Sequence, residues 1–135
     1  DASILDFGDT ADFTIAGWFN RSTFIADHTL VAKRNGILLG DVGYIAYIDD
    51  TTDKLTFELS SNNVGTYKME STSAFTATGW KHFAIVFDQD NATNCLIYVN
   101  GVGETTTKTG TLGNIGSVAN AVAFVLGCHS LGTVL

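Results

Sequence analysis

The run His82–Phe87, HFAIVF, is apolar on both strand parities: Phe83, Ile85 and Phe87 fall on one side, Ala84 and Val86 on the other. Such a run predicts a strand in the middle of a sheet, or one held between two layers. The polar turn Asp88–Asn94 then leads to CLIYV (Cys95–Val99), and Asn100-Gly101 follows. That dipeptide marks a two-residue hairpin, because both central positions of a type I′ turn need positive φ. At the head of the run, Trp80-Lys81-His82 offers two readings, a piece of chemistry or the start of a central strand. A catalytic histidine needs an orienting carboxylate or a nucleophile, and neither is implied nearby, so the strand reading is preferred.

The rest of the chain follows the same pattern. Ser3–Phe7, Phe13–Phe19, His28–Lys33, Gly43–Asp49 and Lys54–Ser60 are short, apolar or alternating, and separated by Gly, Asn and Asp turns. In Lys54–Ser60, Leu55, Phe57 and Leu59 alternate with Thr56, Glu58 and Ser60, which predicts a half-buried strand. Gly65–Ser71 is more polar, VGETTTK (Val102–Lys108) reads as the exposed partner in the hairpin, and Asn120–Gly127 reads as the last full strand. Nine or ten short strands with no helical period predict an all-β antiparallel sandwich, a single domain over 1–135.

Composition narrows the function. The chain has seven Lys and Arg and a net charge of −7, which disfavours nucleic acid and anionic lipid. No apolar run is long enough to insert into a membrane as a helix, and the first ten residues show no signal-peptide pattern. The zinc, nucleophile-elbow, P-loop and dinucleotide signatures are absent. Glu58, Glu70 and Glu104 each stand alone on a predicted strand, against the paired carboxylates of glycoside hydrolysis, although carboxylates of different strands can meet. No enzymatic activity is therefore expected.

Several residues carry alternative readings. Asp6, Asp9 and Asp12 surround a tight turn, and Asp49, Asp50 and Asp53 form a second one; each is either a calcium loop or a solvated turn. Asp9 and Asp12 are the metal candidates. Tyr44 and Tyr47 lie on opposite faces of one strand, so at most one is core, and the outward one suits stacking against a sugar. Cys95 and Cys128 either pair or stay as two small buried thiols. Asn20-Arg21-Ser22 and Asn91-Ala92-Thr93 match the glycosylation sequon.

Taken together and in order, DFTIAGWF (Asp12–Phe19), TLVAKRNG (Thr29–Gly36), GYIAYI (Gly43–Ile48), KLTFEL (Lys54–Leu59), GWKHFAIVFD (Gly79–Asp88) and LIYVNG (Leu96–Gly101) resemble a LamG-like (laminin G-like) domain of the concanavalin A-like lectin/glucanase superfamily. The resemblance implies a concanavalin A-like jelly roll of two curved antiparallel sheets. It also implies a non-catalytic module that binds glycan or cell-surface protein, in secreted proteins, on cell surfaces or on phage and virion surfaces, with calcium as a cofactor in several relatives. The Glu-x-Asp-x-x-Glu run of the superfamily's glucanases is not found here.

Two departures from the family pattern bear on the site. The segment after Leu126-Gly127 is Cys128-His129-Ser130-Leu131-Gly132, without the carboxylates that hold calcium in the related pentraxins, which leaves Asp41 without partners there. The family's closing strand would only be starting at Leu131–Leu135. The resemblance thus implies a jelly roll lacking that strand or receiving it from residues outside this sequence, and an unpaired sheet edge invites self-association.

The leading expectation is a carbohydrate-binding or adhesion module. Its ligand residues would be Asp41, Tyr44, Tyr47, Asp49, Asp50 and His129, on the concave face or its rim. The alternatives are a structural decoration or assembly domain making protein contacts and, behind it, a glycoside hydrolase.

Overall fold

The computed structural model of the protein describes residues 3–7, 10–22, 26–34, 41–61 and 65–127. Ten antiparallel strands lie among them: β1 (Phe13–Asn20), β2 (His28–Lys33), β3 (Gly43–Ile48), β4 (Lys54–Ser61), β5 (Gly65–Ala74), β6 (Trp80–Phe87), β7 (Leu96–Val99), β8 (Val102–Glu104), β9 (Thr106–Thr109) and β10 (Val125–Leu126). A smaller sheet runs β1-β6-β7-β8 and a larger one β10-β2-β3-β4-β5-β9. The two stack as the predicted sandwich.

Alternation decides what lies between them. Phe83, Ile85 and Phe87 of β6 join Ile97 and Val99 of β7, and meet Tyr44, Ala46 and Ile48 of β3 and Leu55, Phe57 and Leu59 of β4. Phe13 links the layers, its ring centroid 5.1 Å from Phe87 and 6.1 Å from Phe57. Burying aromatic rings of this size dominates the energetics of such a core.

The Asn100-Gly101 turn has φ of 51° and 79°, as the type I′ reading requires. The Asn100 side-chain oxygen accepts from the His82 backbone N–H at 2.9 Å, which locks the β6–β7 end to the turn. β6 pairs with strands on both sides, yet only one of its faces is covered. Its Ala84 and Val86 are half-buried and its Trp80 is exposed, so the second face of HFAIVF looks outward and does not enter a second layer.

Three further predicted strands differ from the structure. Ser3–Leu5 is a 3₁₀ turn, because this segment docks through other bonds: the Leu5 carbonyl accepts from the Tyr44 hydroxyl, and the Phe7 ring stacks on Phe13 at 3.9 Å. VGETTTK is two strands, because the chain crosses from the smaller to the larger sheet at Thr105, whose carbonyl takes the Thr72 backbone N–H at 2.9 Å. Of Asn120–Gly127, only Val125–Leu126 is strand. The carbonyls of Asn120 and Val122 accept from Lys33 Nζ, and the Val122 N–H bonds the Asn120 side chain, so these groups are spent before a ladder can form.

Among the described residues, β1 and β10 end their sheets. A cavity of about 460 Å³ opens between them, lined by Phe19, Leu30, Val31, Phe83 and Leu126. Cys95 is a buried free thiol that donates to the Asp88 carbonyl, while Cys128 lies outside the described residues. No helix of the described residues is long and apolar enough to cross a membrane.

Candidate functional site

The face of the larger sheet turned away from the core is unusually polar for a buried surface. In β4, Thr56, Glu58 and Ser60 point there, opposite the core residues Leu55, Phe57 and Leu59. Glu58 receives one bond on each carboxylate oxygen: the Tyr47 hydroxyl donates to Oε1 at 3.0 Å and Arg34 Nη1 to Oε2 at 3.3 Å. All three side chains are buried. Burial, and after it the Glu58 carboxylate, push the Tyr47 phenol well above its ordinary pKa, so Tyr47 acts as a neutral donor.

One strand along, Glu70 bridges Lys68 at 3.0 Å and Lys54 at 3.2 Å. Glu58 stands opposite Lys68 and Thr56 opposite Glu70 in the β4–β5 register. The two glutamates are thus diagonal neighbours on one face, with Cα atoms about 7–8 Å apart by ordinary sheet geometry. Burial opposes the charge on Glu70, but Lys68 and Lys54 outweigh it and hold the carboxyl below its usual value.

At the β3–β4 end lies an acidic rim. Asp27, Asp49 and Asp50 place one carboxylate oxygen each within 4.8 Å of the others. Asp49 Oδ1 accepts from the backbone N–H groups of Thr51 and Thr52 and from the Thr52 hydroxyl, and Asp27 Oδ1 accepts from the Asp50 N–H at 2.8 Å. Three hard oxygens converging at one rim can hold a metal such as calcium. Asp53 is not part of this group, since it pairs with Arg21.

The ligand candidates separate as follows. Tyr47, Asp49 and Asp50 come together at one end of the outward face, with Asp27 as an added neighbour. Tyr44 instead belongs to the core between the sheets, 1% exposed, with its hydroxyl given to Leu5. Tyr47 points the other way but is itself buried in a second cluster with Ala32 and Ile45, so both tyrosines are buried and neither ring is open to stack on a sugar. Asp41 is half-buried just ahead of β3 and lies outside the acidic cluster. Asp12 is exposed, and its carboxylate caps the Gln89 N–H at 2.9 Å, a structural bond between the start of β1 and the turn after β6. Asp9 and His129 lie outside the described residues.

Three contributors escaped the sequence reading. Glu58 was legible as outward-facing from the β4 alternation, but nothing marked it as a site residue. Arg34 reads as part of a turn, and no local pattern ties it to Glu58. Asp27 precedes His28, which pairs with Ile48, and this register alone brings it to Asp49 and Asp50.

Comparison with known proteins accords with this architecture. A family model, Laminin_G_3, described as concanavalin A-like lectin/glucanases superfamily, matches residues 2–133. Among solved structures, the Ruminococcus gnavus IT-sialidase CBM40 bound to alpha2,6 sialyllactose aligns with a TM-score of 0.63 and 16% identity, over 96% of this chain and 69% of that one. At that identity the likeness is one of fold. A search of curated proteins gives no sequence match. Since the family match spans nearly every residue, and the two-sheet sandwich agrees with it, the chain belongs to the Laminin_G_3 family of the concanavalin A-like lectin/glucanase superfamily.

Proposed function

We propose that this protein is a non-catalytic glycan-binding module whose ligand face is the outward surface of the larger sheet, with a divalent cation at the Asp27–Asp49–Asp50 rim. The observation behind this reading is the pair of hydroxyls on Thr56 and Ser60. Both are buried, and neither has a hydrogen-bond partner among the described residues. Leaving such groups unpaired is costly to a fold, and they flank Glu58 on a face that already holds Tyr47 and Arg34. Sugar hydroxyls donate and accept at once, which is the chemistry that would satisfy them. Both hydroxyls are shielded from water in the structure. The sialyllactose-bound CBM40 of the same fold makes α2,6-sialyllactose a natural first ligand to test. Placement outside a cell or on a virion is part of the proposal and rests on the family resemblance.

The reading as a binder rather than a hydrolase is supported by the state of the two glutamates. A general acid needs a raised pKa, whereas Glu70 is held low by two lysines, and both oxygens of Glu58 are occupied. A second reading, assembly through protein contacts, draws on β1 ending its sheet among the described residues.

A glycan array with and without calcium, followed by calorimetry with α2,6-sialyllactose and lactose, tests the proposal. Thr56→Val and Ser60→Ala should each weaken binding about three- to tenfold and leave the unfolding midpoint unchanged or raised. An array empty under both conditions overturns the reading.

A further inference from the structure

The opposite surface of the molecule has a different character. The outward positions of β1, β6 and β7 hold no Asp, Glu, Lys or Arg, on a chain whose net charge is −7. Trp18 and Trp80 stand on this face 65% and 68% exposed. Register places them on adjacent strands, Trp18 opposite His82 and Trp80 opposite Asn20, so the two indoles are diagonal neighbours. The His82 ring braces Trp18 edge-on at 5.2 Å, which fixes the indole without covering it. Ala16 pairs with Ala84, and Ala84 with Tyr98. The two methyl groups make a low floor between the indoles and the tyrosine. Tyr98 lies across Gly103, where an added Cβ would stand 3.6 Å from its ring.

We propose that this face is a second binding surface, a platform for an uncharged polysaccharide with flat, equatorially linked sugar rings. Its aromatic rings stack on the C–H faces of successive sugars, and the alanine floor leaves the chain room to lie flat. Contiguous exposed aromatic surface on a soluble domain marks an interaction site, and rings held in place before binding lose little freedom on binding. Charge selects the occupant. A face without ionised groups offers nothing to an anionic glycan, and two copies of a chain at −7 repel one another. The polar side chains among these positions, Thr14, Asn20 and Tyr98, carry no charge and can exchange hydrogen bonds with the hydroxyls of a neutral sugar chain. The proposal is independent of the ligand face around Thr56 and Ser60, which lies on the other side of the core.

Both tryptophans of the sequence belong to this face, so tryptophan emission, excited beyond the tyrosine absorption band, reports it alone. Retention on microcrystalline cellulose and on chitin, with a fluorescence titration by cellohexaose, is the direct test. The whole chain should be retained on at least one polysaccharide, insensitively to salt, and cellohexaose should shift or quench the emission. Trp18→Ala and Trp80→Ala should each weaken retention about tenfold, Trp18→Tyr should keep most of it, and Thr56→Val with Ser60→Ala should not change it. No retention of the unmodified protein on either polysaccharide, and no fluorescence response, overturns the proposal without recourse to any variant. It is equally overturned if a folded Trp18→Ala/Trp80→Ala variant binds as well as the parent. A dimer in sedimentation velocity that this double substitution dissolves would make the occupant a second copy, and would also overturn it.

Discussion

Burial, and then the charges of Asp50 and Asp49, push the Asp27 carboxyl above its ordinary value, against the Asp50 N–H that bonds it. A carboxyl raised in the folded state favours folding while protonated, and that contribution is lost as pH rises through the folded value. At neutral pH Asp27 is therefore a charge that the fold bears at a cost. Asp27→Asn should stabilise the cation-free protein at pH 7 by up to about 1 kcal/mol after solvent screening, and by less in acid. Calcium at tenfold excess over its dissociation constant should stabilise the parent by about 1.4 kcal/mol, and the Asn variant much less. Thermal melts with and without calcium read both effects, and a parent melt that ignores calcium removes the cation from this rim. The opposite sign holds for Asp6, which its hydrogen bond from Lys33 keeps below the usual range. Its contribution is full above the ordinary carboxylate value and is lost as pH falls through the lower folded one. Lys33 is fully buried and reaches Asp6 at 2.7 Å and two backbone carbonyls at 2.9 and 2.8 Å. Lys33→Met should cost about 3 kcal/mol in urea unfolding and flatten the acid limb of the stability profile. An unchanged midpoint would show that the loops it ties hold by themselves.

Strands that alternate were legible, and strands held by their neighbours were not. The pattern of Lys54–Ser60 named its own faces, whereas the polar Gly65–Ser71 gave little signal and yet begins the longest strand, because β4 and β9 pair it on both sides. The apolar segments Ser3–Phe7 and Asn120–Gly127 look like strands by composition. They become a docked turn and a pinned loop because Tyr44, Lys33 and the Asn120 side chain take their backbone groups. Gly43, at the head of β3, shows how closely this pinning packs. Its φ is 129°, and an added Cβ would lie 1.9 Å from the Lys33 carbonyl. Gly43→Ala should destabilise by about 2 kcal/mol or more, read as a lower urea midpoint at unchanged slope. A neutral outcome would mean that the β2–β3 connection can shift to make room.

Across the whole molecule, the core separates two outward faces of contrasting chemistry. One is a buried polar network with an acidic rim; the other is exposed, aromatic and free of Asp, Glu, Lys and Arg at the outward positions of β1, β6 and β7. Because the two do not share side chains, substitutions on them should act independently. Ala16→Arg puts a charge on the aromatic floor. It should reduce retention on polysaccharide at least tenfold, while leaving calorimetric binding at the Thr56–Ser60 face and the melting temperature nearly unchanged. Coupled losses in both assays would point to one extended site or to a damaged fold.

Periodicity and turn chemistry by themselves determined that this chain is an antiparallel sandwich, which residues of β4 and β6 face inward, and that Asn100-Gly101 turns the chain back. These are local properties, set by side-chain parity and backbone φ. The meeting of Asp27 with Asp49 and Asp50, of Arg34 with Glu58, and of Trp18 with Trp80 was decided only by the tertiary structure. Each group gathers residues from strands or loops distant in the sequence, and strand order and register, which no single segment encodes, bring them to one surface.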